Sequence, residues 1–340
     1  MLIDNQTMWQ IGTGDNTRDY TDICLDYSIA IVGPGIPGNA KENPDWEKNH
    51  WGTYLLEIKI GDIVLLRRGQ TVIKAVGIVI QDYQYSESLS DVHGWDLNHY
   101  VTLKWYIKKD GSDIILPYSM IGYSTMSRVD KNYNKVKEII NKEELIELKQ
   151  KRKISDLKIP DKVDNTIIKK FLINQGIRIF DAENIVNTIN RIIVLINWYK
   201  EYDPSVLEYE LRTFVVVPFL FSLGWSEQKI KLEYNKIDIA IFSNIYNSKK
   251  SNQPKIIIET KTFDDGLYFA QNQIEQYAKN YPKCNLIVTT NGYRYNILKR
   301  EGSIFFRYAY FNLLDMRTFD YLENNIFGIL EGMFEISNYK

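Results

Sequence analysis

The spacing of apolar residues changes along this chain, and each spacing predicts a different element. Up to about residue 125 the apolar positions fall in short runs, Tyr54–Ile58, Ile63–Leu66, Val72–Val79 and Tyr100–Tyr106, punctuated by Gly, Asp and Asn. Such runs read as strands. The stretch IKIGDIVLLRRG predicts a tight turn at Gly61-Asp62 and a strand ending at Arg67-Arg68-Gly69. Many short strands with turn signals predict a small barrel. From 130 to 158 the pattern changes: Val136, Ile139, Ile140, Leu145 and Leu148 lie near helical spacing in a charged stretch. That predicts a helix running into a polar linker near Ser155–Val163. Over 181–200, Ile185, Ile189, Ile192 and Ile196 share one helical face, a core-packing stripe. Residues 205–300 read helix, strand, strand, helix, strand, an α/β order. No repeat of 20–50 residues and no low-complexity tract interrupts it.

Composition adds limits. The 340 residues are long enough for two domains, and 44% hydrophobic with 25% charged residues is a globular balance. Aromatics reach 13%, with 24 Tyr. They fill cores and also stack on bases. A net charge of −1 argues against a uniformly basic nucleic-acid coat, so any nucleic-acid surface is local. One candidate is 128–170, with 13 Lys/Arg against 8 Asp/Glu; it reads equally as a solvated helical connector. Two cysteines, Cys24 and Cys284, without C-x-x-C spacing exclude a thiolate zinc site and a disulfide framework. His93 and His99 lie six apart in a polar loop without further ligands. The start MLIDNQTMWQ lacks a basic segment followed by an apolar run, and no run of 18 apolar residues occurs, so neither a signal peptide nor a membrane span is expected.

The chemistry concentrates in the second half. In KIDIAIF a strand would point Asp238 away from Ile237, Ile239 and Ile241. In KIIIETKT, Glu259 and Lys261 are two apart and share a face. A Glu-Lys pair on a half-exposed edge strand would explain them. Phosphodiester hydrolysis explains them better. That reaction needs a hard divalent ion held by carboxylates, together with a cation for the developing phosphorane charge. Upstream, Glu208 and Arg212 are one helical turn apart; downstream, Gln273 and Tyr277 are as well.

The order E-x-x-x-R, P-F-L-x-x-L-G-W, I-D-I-A-I, I-I-E-T-K, Q-x-x-x-Y, V-T-T-N-G resembles the nuclease domain at the N-terminus of type I restriction-enzyme R subunits, a group of the PD-(D/E)xK superfamily. The resemblance covers roughly 165–310. It implies that Asp238 and Glu259 hold Mg2+, for which Mn2+ can substitute. It implies that Glu208 completes the metal site, that Lys261 is the catalytic lysine, and that Gln273 and Tyr277 touch the active site or the DNA backbone. Ile237 stands where this superfamily often has proline. The chain has no G-x-x-x-x-G-K-S/T, so no nucleoside triphosphate motor is expected.

Toward the N-terminus, Gly12, Gly14, Gly33, Gly35 and Gly38 could form a phosphate loop, but no Lys-Ser/Thr follows at the needed spacing, which leaves turns. G-D-x-V, a short turn, A-V-G-x-V, a Tyr-rich segment and VTLKWY near Trp105 resemble the EVE-type members of the PUA superfamily, relatives of YTH domains, over about 5–110. That resemblance implies a receptor for a flipped nucleobase, often modified. Trp9, Tyr20, Trp46 and Trp51 are candidate cage residues, each equally a candidate core aromatic. Asp19 or Asp22 could read a base edge, and Arg67 and Arg68 could hold phosphates.

The expected organisation is therefore an EVE/YTH-like base-reading domain at 1–126, a charged helical linker at 127–164 and a restriction-type nuclease at 165–340. The expected fold class is an α/β nuclease core, a mixed central sheet flanked by helices, with a separate β-barrel-like domain in front. The expected function is a magnesium-dependent, cytoplasmic endodeoxyribonuclease that restricts modified foreign double-stranded DNA. Alternatives are a sequence-specific restriction endonuclease, a non-catalytic module binding modified nucleic acid, and RNA as substrate. Cutting both strands from one active site requires a homodimer or two successive events.

Overall fold

Between Met8 and Glu147 the apolar runs pair as strands. They are β1 (Met8–Gly12), β2 (Ile29–Val32), β3 (Ile63–Arg68), β4 (Val72–Tyr85), β5 (His99–Lys108), β6 (Ile114–Ile115), β7 (Met126–Arg128) and β8 (Leu145–Glu147). The computed structural model describes residues 4–340 except 15–18, 34–37, 43–54, 251, 264 and 265, and except the side chains of 268, 269 and 272. Contacts divide the chain into two units, Met1–Ile159 and Pro160–Lys340.

The first unit's sheet runs β2-β5-β4-β3-β1-β7, with β6 on β4 and β8 on β5. β1 is parallel to β3, and the other pairs are antiparallel. The sheet is mixed and curls into a half-barrel, where the sequence predicts a barrel. Gly77 stands opposite Trp105, and a Cβ there would meet the indole at 2.7 Å, so only glycine lets the ring lie flat on β4. A short helix, α1 (Thr21–Tyr27), ends at Ser28 in the left-handed region, φ 56°, which turns the chain into β2. A second helix, α2 (Tyr133–Asn141), buries Val136 and Ile140 against Ile63, Leu65 and Val76.

Two expectations change here. The charged segment is not a continuous helix. It ends at Asn141, and Leu145–Glu147 add a strand to Tyr106–Lys108. Cross-strand pairing supplies the reason: Lys109 N–H donates to Glu144 O, and Lys108 and Lys109 form ion pairs with Glu143 and Glu144. Residues 133–147 thus pack within the first unit, whose contacts run to Ile159. The run expected as a strand at Tyr54–Ile58 is helical over 55–57, and Tyr54 lies outside the described residues.

The second unit opens with helices α3 (Asn165–Asn174) and α4 (Ile179–Tyr202). Ile185, Ile189, Ile192 and Ile196 are fully buried, as their spacing predicts. Then follow α5 (Glu208–Leu211), a π-helical turn (Arg212–Val216) and α6 (Val217–Ser222). The sheet runs β14-β13-β12-β11-β10-β9, from β9 (Ile230–Tyr234), β10 (Ile237–Ile241), β11 (Ile256–Thr260), β12 (Leu286–Thr290), β13 (Arg294–Glu301) and β14 (Ile304–Asn312). Only β11 and β12 are parallel among these pairs, joined through α7 (Leu267–Ala278). A last helix, α8 (Ile329–Glu335), packs on β14. The mixed sheet with helices agrees with the α/β expectation. Periodicity misses β9, because on this edge strand only Ile230 is buried.

Candidate active site

The site begins on a helix that is deliberately irregular. Glu210 accepts the N–H of Leu207 at 3.3 Å and starts the helix. Pro218 then removes the donor that would close onto Phe214 O. Arg191 supplies a replacement, donating to Phe214 O at 3.2 Å, while the backbone widens into the π turn that begins at Arg212. Such turns recur at functional sites. Here the turn accompanies a buried Arg212 whose guanidinium reaches the sheet.

On the sheet, β9 and β10 form a hairpin whose turn residues Asn235 and Lys236 have φ of 51° and 71°. Both left-handed residues match the twist of a two-residue hairpin. Antiparallel register pairs Ile239 with Ile258, and continuing it by one step sets Asp238 across from Glu259. There the strands part, and side chains take over the pairing. Asp238 Oδ2 accepts Thr260 N–H at 2.7 Å and lies 2.8 Å from Thr260 Oγ1. Arg212 Nη2 donates to Asp238 Oδ1 at 2.9 Å and to Glu208 Oε1 at 3.1 Å. Arg212 Nε donates to Thr260 Oγ1 at 3.2 Å, and Nη1 donates to Glu233. Lys261 Nζ donates to Glu259 Oε1 at 2.7 Å. Its backbone N–H holds Thr290 O at 2.8 Å, which fixes β11 to β12. The V-T-T-N-G turn closes this end. Gly292, at φ 93°, lies where a Cβ would press on Val215 at 3.2 Å.

Glu208, Asp238, Glu259 and Lys261 therefore converge, although they come from three elements. Four carboxylates, counting Glu233, face two cations, so the cluster is net negative. Burial raises the Glu259 pKa, Lys261 opposes that rise, and Asp238 and Glu208 add to it. Burial works against the Lys261 charge, but Glu259, Glu208 and Asp238 outweigh it and hold its pKa above the ordinary value. Glu259 Oε2 is buried with no hydrogen-bond partner. An orphan carboxylate oxygen in a net-negative, all-oxygen cluster suits a hard divalent ion. Among the described residues no group of three or more His, Cys, Asp and Glu is arranged to hold a metal ion. Asp238 and Glu208 are turned onto Arg212.

Other predicted residues sit elsewhere. Gln273 is exposed on α7 and donates to Tyr277 Oη at 3.1 Å, so the two meet each other, with no described bond to the carboxylates. Trp9 is fully buried, and its indole N–H donates to Asp62 at 2.9 Å. Tyr20 is also buried. Asp19 pairs with Arg68 at 3.3 Å on the surface. Trp46 and Trp51 lie outside the described residues. Arg67 is buried and bonds to Gln10 and to the carbonyls of Gly69, Tyr123 and Ser124. It is a pin for loops here rather than an exposed phosphate contact, because its donors are satisfied inside. Sequence reasoning places Arg212 beside Glu208 without a role, and it misses Thr260 and Glu233. Only the E-x-x-x-R spacing hints at Arg212. Nothing local marks Glu233, whose carboxylate arrives from an edge strand.

With this geometry in view, residues 223–307 match the family model described as Type I restriction enzyme R protein N terminus. This stretch is restriction-enzyme-like. The matched region contains Asp238, Glu259, Lys261, Gln273 and Tyr277; Glu208 and Arg212 precede it. It points to a restriction-type nuclease, with DNA as the corresponding substrate. Residues 37–130 match a domain of unknown function, DUF8426, which carries no assigned activity. No curated protein and no solved structure matches the chain. Among the described residues no helix is long and apolar enough to cross a membrane.

Proposed function

We propose that this chain is a magnesium-dependent DNA endonuclease whose first unit reads a flipped, modified base. The observation that carries the reading is the convergence of Glu208, Asp238, Glu259 and Lys261 at the end of β11, inside or beside the restriction-enzyme-like stretch. Asp238, Glu259 and Glu208 would hold the metal through carboxylate oxygens. Magnesium, or manganese in its place, supplies Lewis acidity to the scissile phosphate and a lowered pKa to the attacking water. Lys261, beside Glu259, would orient or help deprotonate the attacking water and stabilise the phosphorane. Gln273 and Tyr277 would touch the active site or the DNA backbone, as the family resemblance implies.

Base reading rests on the EVE-like sequence pattern and the curled sheet of the first unit. Asp19 and Tyr20, at the entry to α1, are the described candidates for it, with Arg68 as the exposed phosphate contact. Double-strand cleavage by one site per chain calls for a homodimer or two successive events, and restriction of foreign DNA is the cellular role that joins reader to nuclease. The test is digestion of unmodified, 5-methylcytosine and 5-hydroxymethylcytosine DNA with magnesium. Equal cutting of all three removes the modification-dependent part and leaves a sequence-specific endonuclease. Wild-type activity in Asp238→Ala or Lys261→Ala removes the site.

One observation favours a second reading, a non-catalytic binding module: Arg212 already engages Asp238 and Glu208. Calorimetric titration with manganese decides between them, because an inert copy shows no binding that Asp238→Ala abolishes.

A further inference from the structure

The site holds a residue that neither the metal nor the lysine accounts for. Arg212 is buried on the π turn, and its fork reaches every element that brings an acid to the cluster except β11's Glu259. Nη2 lies 3.1 Å from Glu208 on α5 and 2.9 Å from Asp238 on β10; Nη1 meets Glu233 on β9; Nε lies 3.2 Å from the Thr260 hydroxyl on β11. Thr260 in turn stands 3.1 Å from Glu208 and 2.8 Å from Asp238, so it relays the same grip. A lysine could reach one or two of these partners; the planar fork reaches all of them.

Glu233 is the unusual member. Its side chain is 70% exposed, yet its carboxylate lies on the buried guanidinium. Its φ is 52°, a left-handed conformation that a glutamate in a strand does not adopt without something to hold it. A surface carboxylate in water gains little from such an ion pair. One that closes the open side of a buried arginine gains more, because it completes the charge balance of a desolvated group.

We propose that Arg212 is the resident counter-cation of the carboxylate cluster and a positioning residue. It sets where Glu208 and Asp238 stand before any metal arrives, and Glu233 caps it from the solvent side. The metal half of this inference rests on the nuclease reading; the counter-cation half does not.

The test uses the full-length chain and calorimetry, which follows the melting of each unit. In metal-free buffer, Arg212→Met lowers the melting temperature of the second unit by roughly 10 °C, the loss typical of a stranded buried charge. Arg212→Met with Asp238→Asn then melts several degrees above Arg212→Met alone, because one of the stranded acids is gone. Manganese raises the melting temperature of Arg212→Met by more than it raises the wild type, since the ion supplies the missing positive charge. A merely structural arginine gives additive effects of the two substitutions, and additivity overturns the proposal; so does a manganese response that is present and equal in Arg212→Met and the wild type. If Arg212→Met does not fold, Arg212→Lys replaces it in the same cycle, and additivity there has the same meaning. Coupling in the cycle with no response to manganese in any variant keeps the counter-cation and rejects the metal site, so the two failures are distinguishable.

Discussion

Among the described residues two arginines are buried, Arg67 in the first unit and Arg212 in the second, and they are used in opposite ways. Arg67, at the end of β3, gives its donors to neutral acceptors: Gln10 and the carbonyls of Gly69, Tyr123 and Ser124. Among the described residues no carboxylate forms an ion pair with it, and burial lowers its pKa. Arg212 gives its donors to Glu208, Glu233, Asp238 and Thr260. The first arrangement ties exposed loop segments to the end of β3. The second gathers negative charge around one guanidinium. The charge of their partners, not their burial, separates these two arginines.

The largest expected effect is catalytic. Lys261→Ala and Asp238→Ala each reduce DNA cleavage by about a thousandfold or more, the usual cost of losing one electrostatic contact to the transition state. Chelation of divalent ions abolishes cleavage altogether. Persistent cleavage in EDTA would end the metal reading.

The next effect sharpens the contrast directly. Arg67→Met leaves the side-chain oxygen of buried Gln10 without its donor and frees the carbonyls of Gly69 and Tyr123, and destabilises the first unit by about 2 kcal/mol, read by denaturant unfolding. Its response to manganese stays that of the wild type. If Arg67→Met became manganese-responsive in the way expected of Arg212→Met, the distinction between the two arginines would collapse.

A pH effect follows, specific to the second unit. The folded pKa of Glu259 lies above its unfolded value, so between the two the folded chain binds more protons than the unfolded chain. Metal-free stability therefore falls as pH rises through a window that opens near 4.5. Glu259→Gln removes that fall, and an unchanged slope in this variant contradicts the assignment. Lys261 works in the same sense at the alkaline end: its contribution is present below 10.5 and is lost as pH rises through its elevated folded value.

The smallest effect concerns the surface. Arg68→Ala changes stability by less than about 0.5 kcal/mol, since its pair with Asp19 is exposed. If Arg68 contacts phosphate, the variant weakens DNA binding evenly across sequences and lowers the salt dependence of affinity by about one ion.

Much of the second unit was legible beforehand. The Ile185–Ile196 stripe, the two strands carrying Asp238 and Glu259, and the i, i+4 pairs on the helices all follow from local period. Period fails where packing is one-sided or pairing is remote. It missed edge strand β9, which buries one residue, and it extended α2 through Leu145, which pairs instead with Lys108 thirty-seven residues earlier in the chain. In the first unit, aromatic content marked Trp9 as a cage candidate, but burial places it in the packing with its N–H on Asp62.

By itself the sequence determined much of the alternation of elements, which depends on spacing within ten or twenty residues, and it offered Glu208, Asp238, Glu259 and Lys261 as candidates with the help of family resemblance. Tertiary structure alone decided who balances their charge. Arg212 meets Glu233 twenty-one residues away, Asp238 at twenty-six and Thr260 at forty-eight, distances over which no local period operates. It also decided that Arg67 faces inward and Arg68 outward, since neighbouring positions on a strand point to opposite faces and only the packed sheet shows which face is covered.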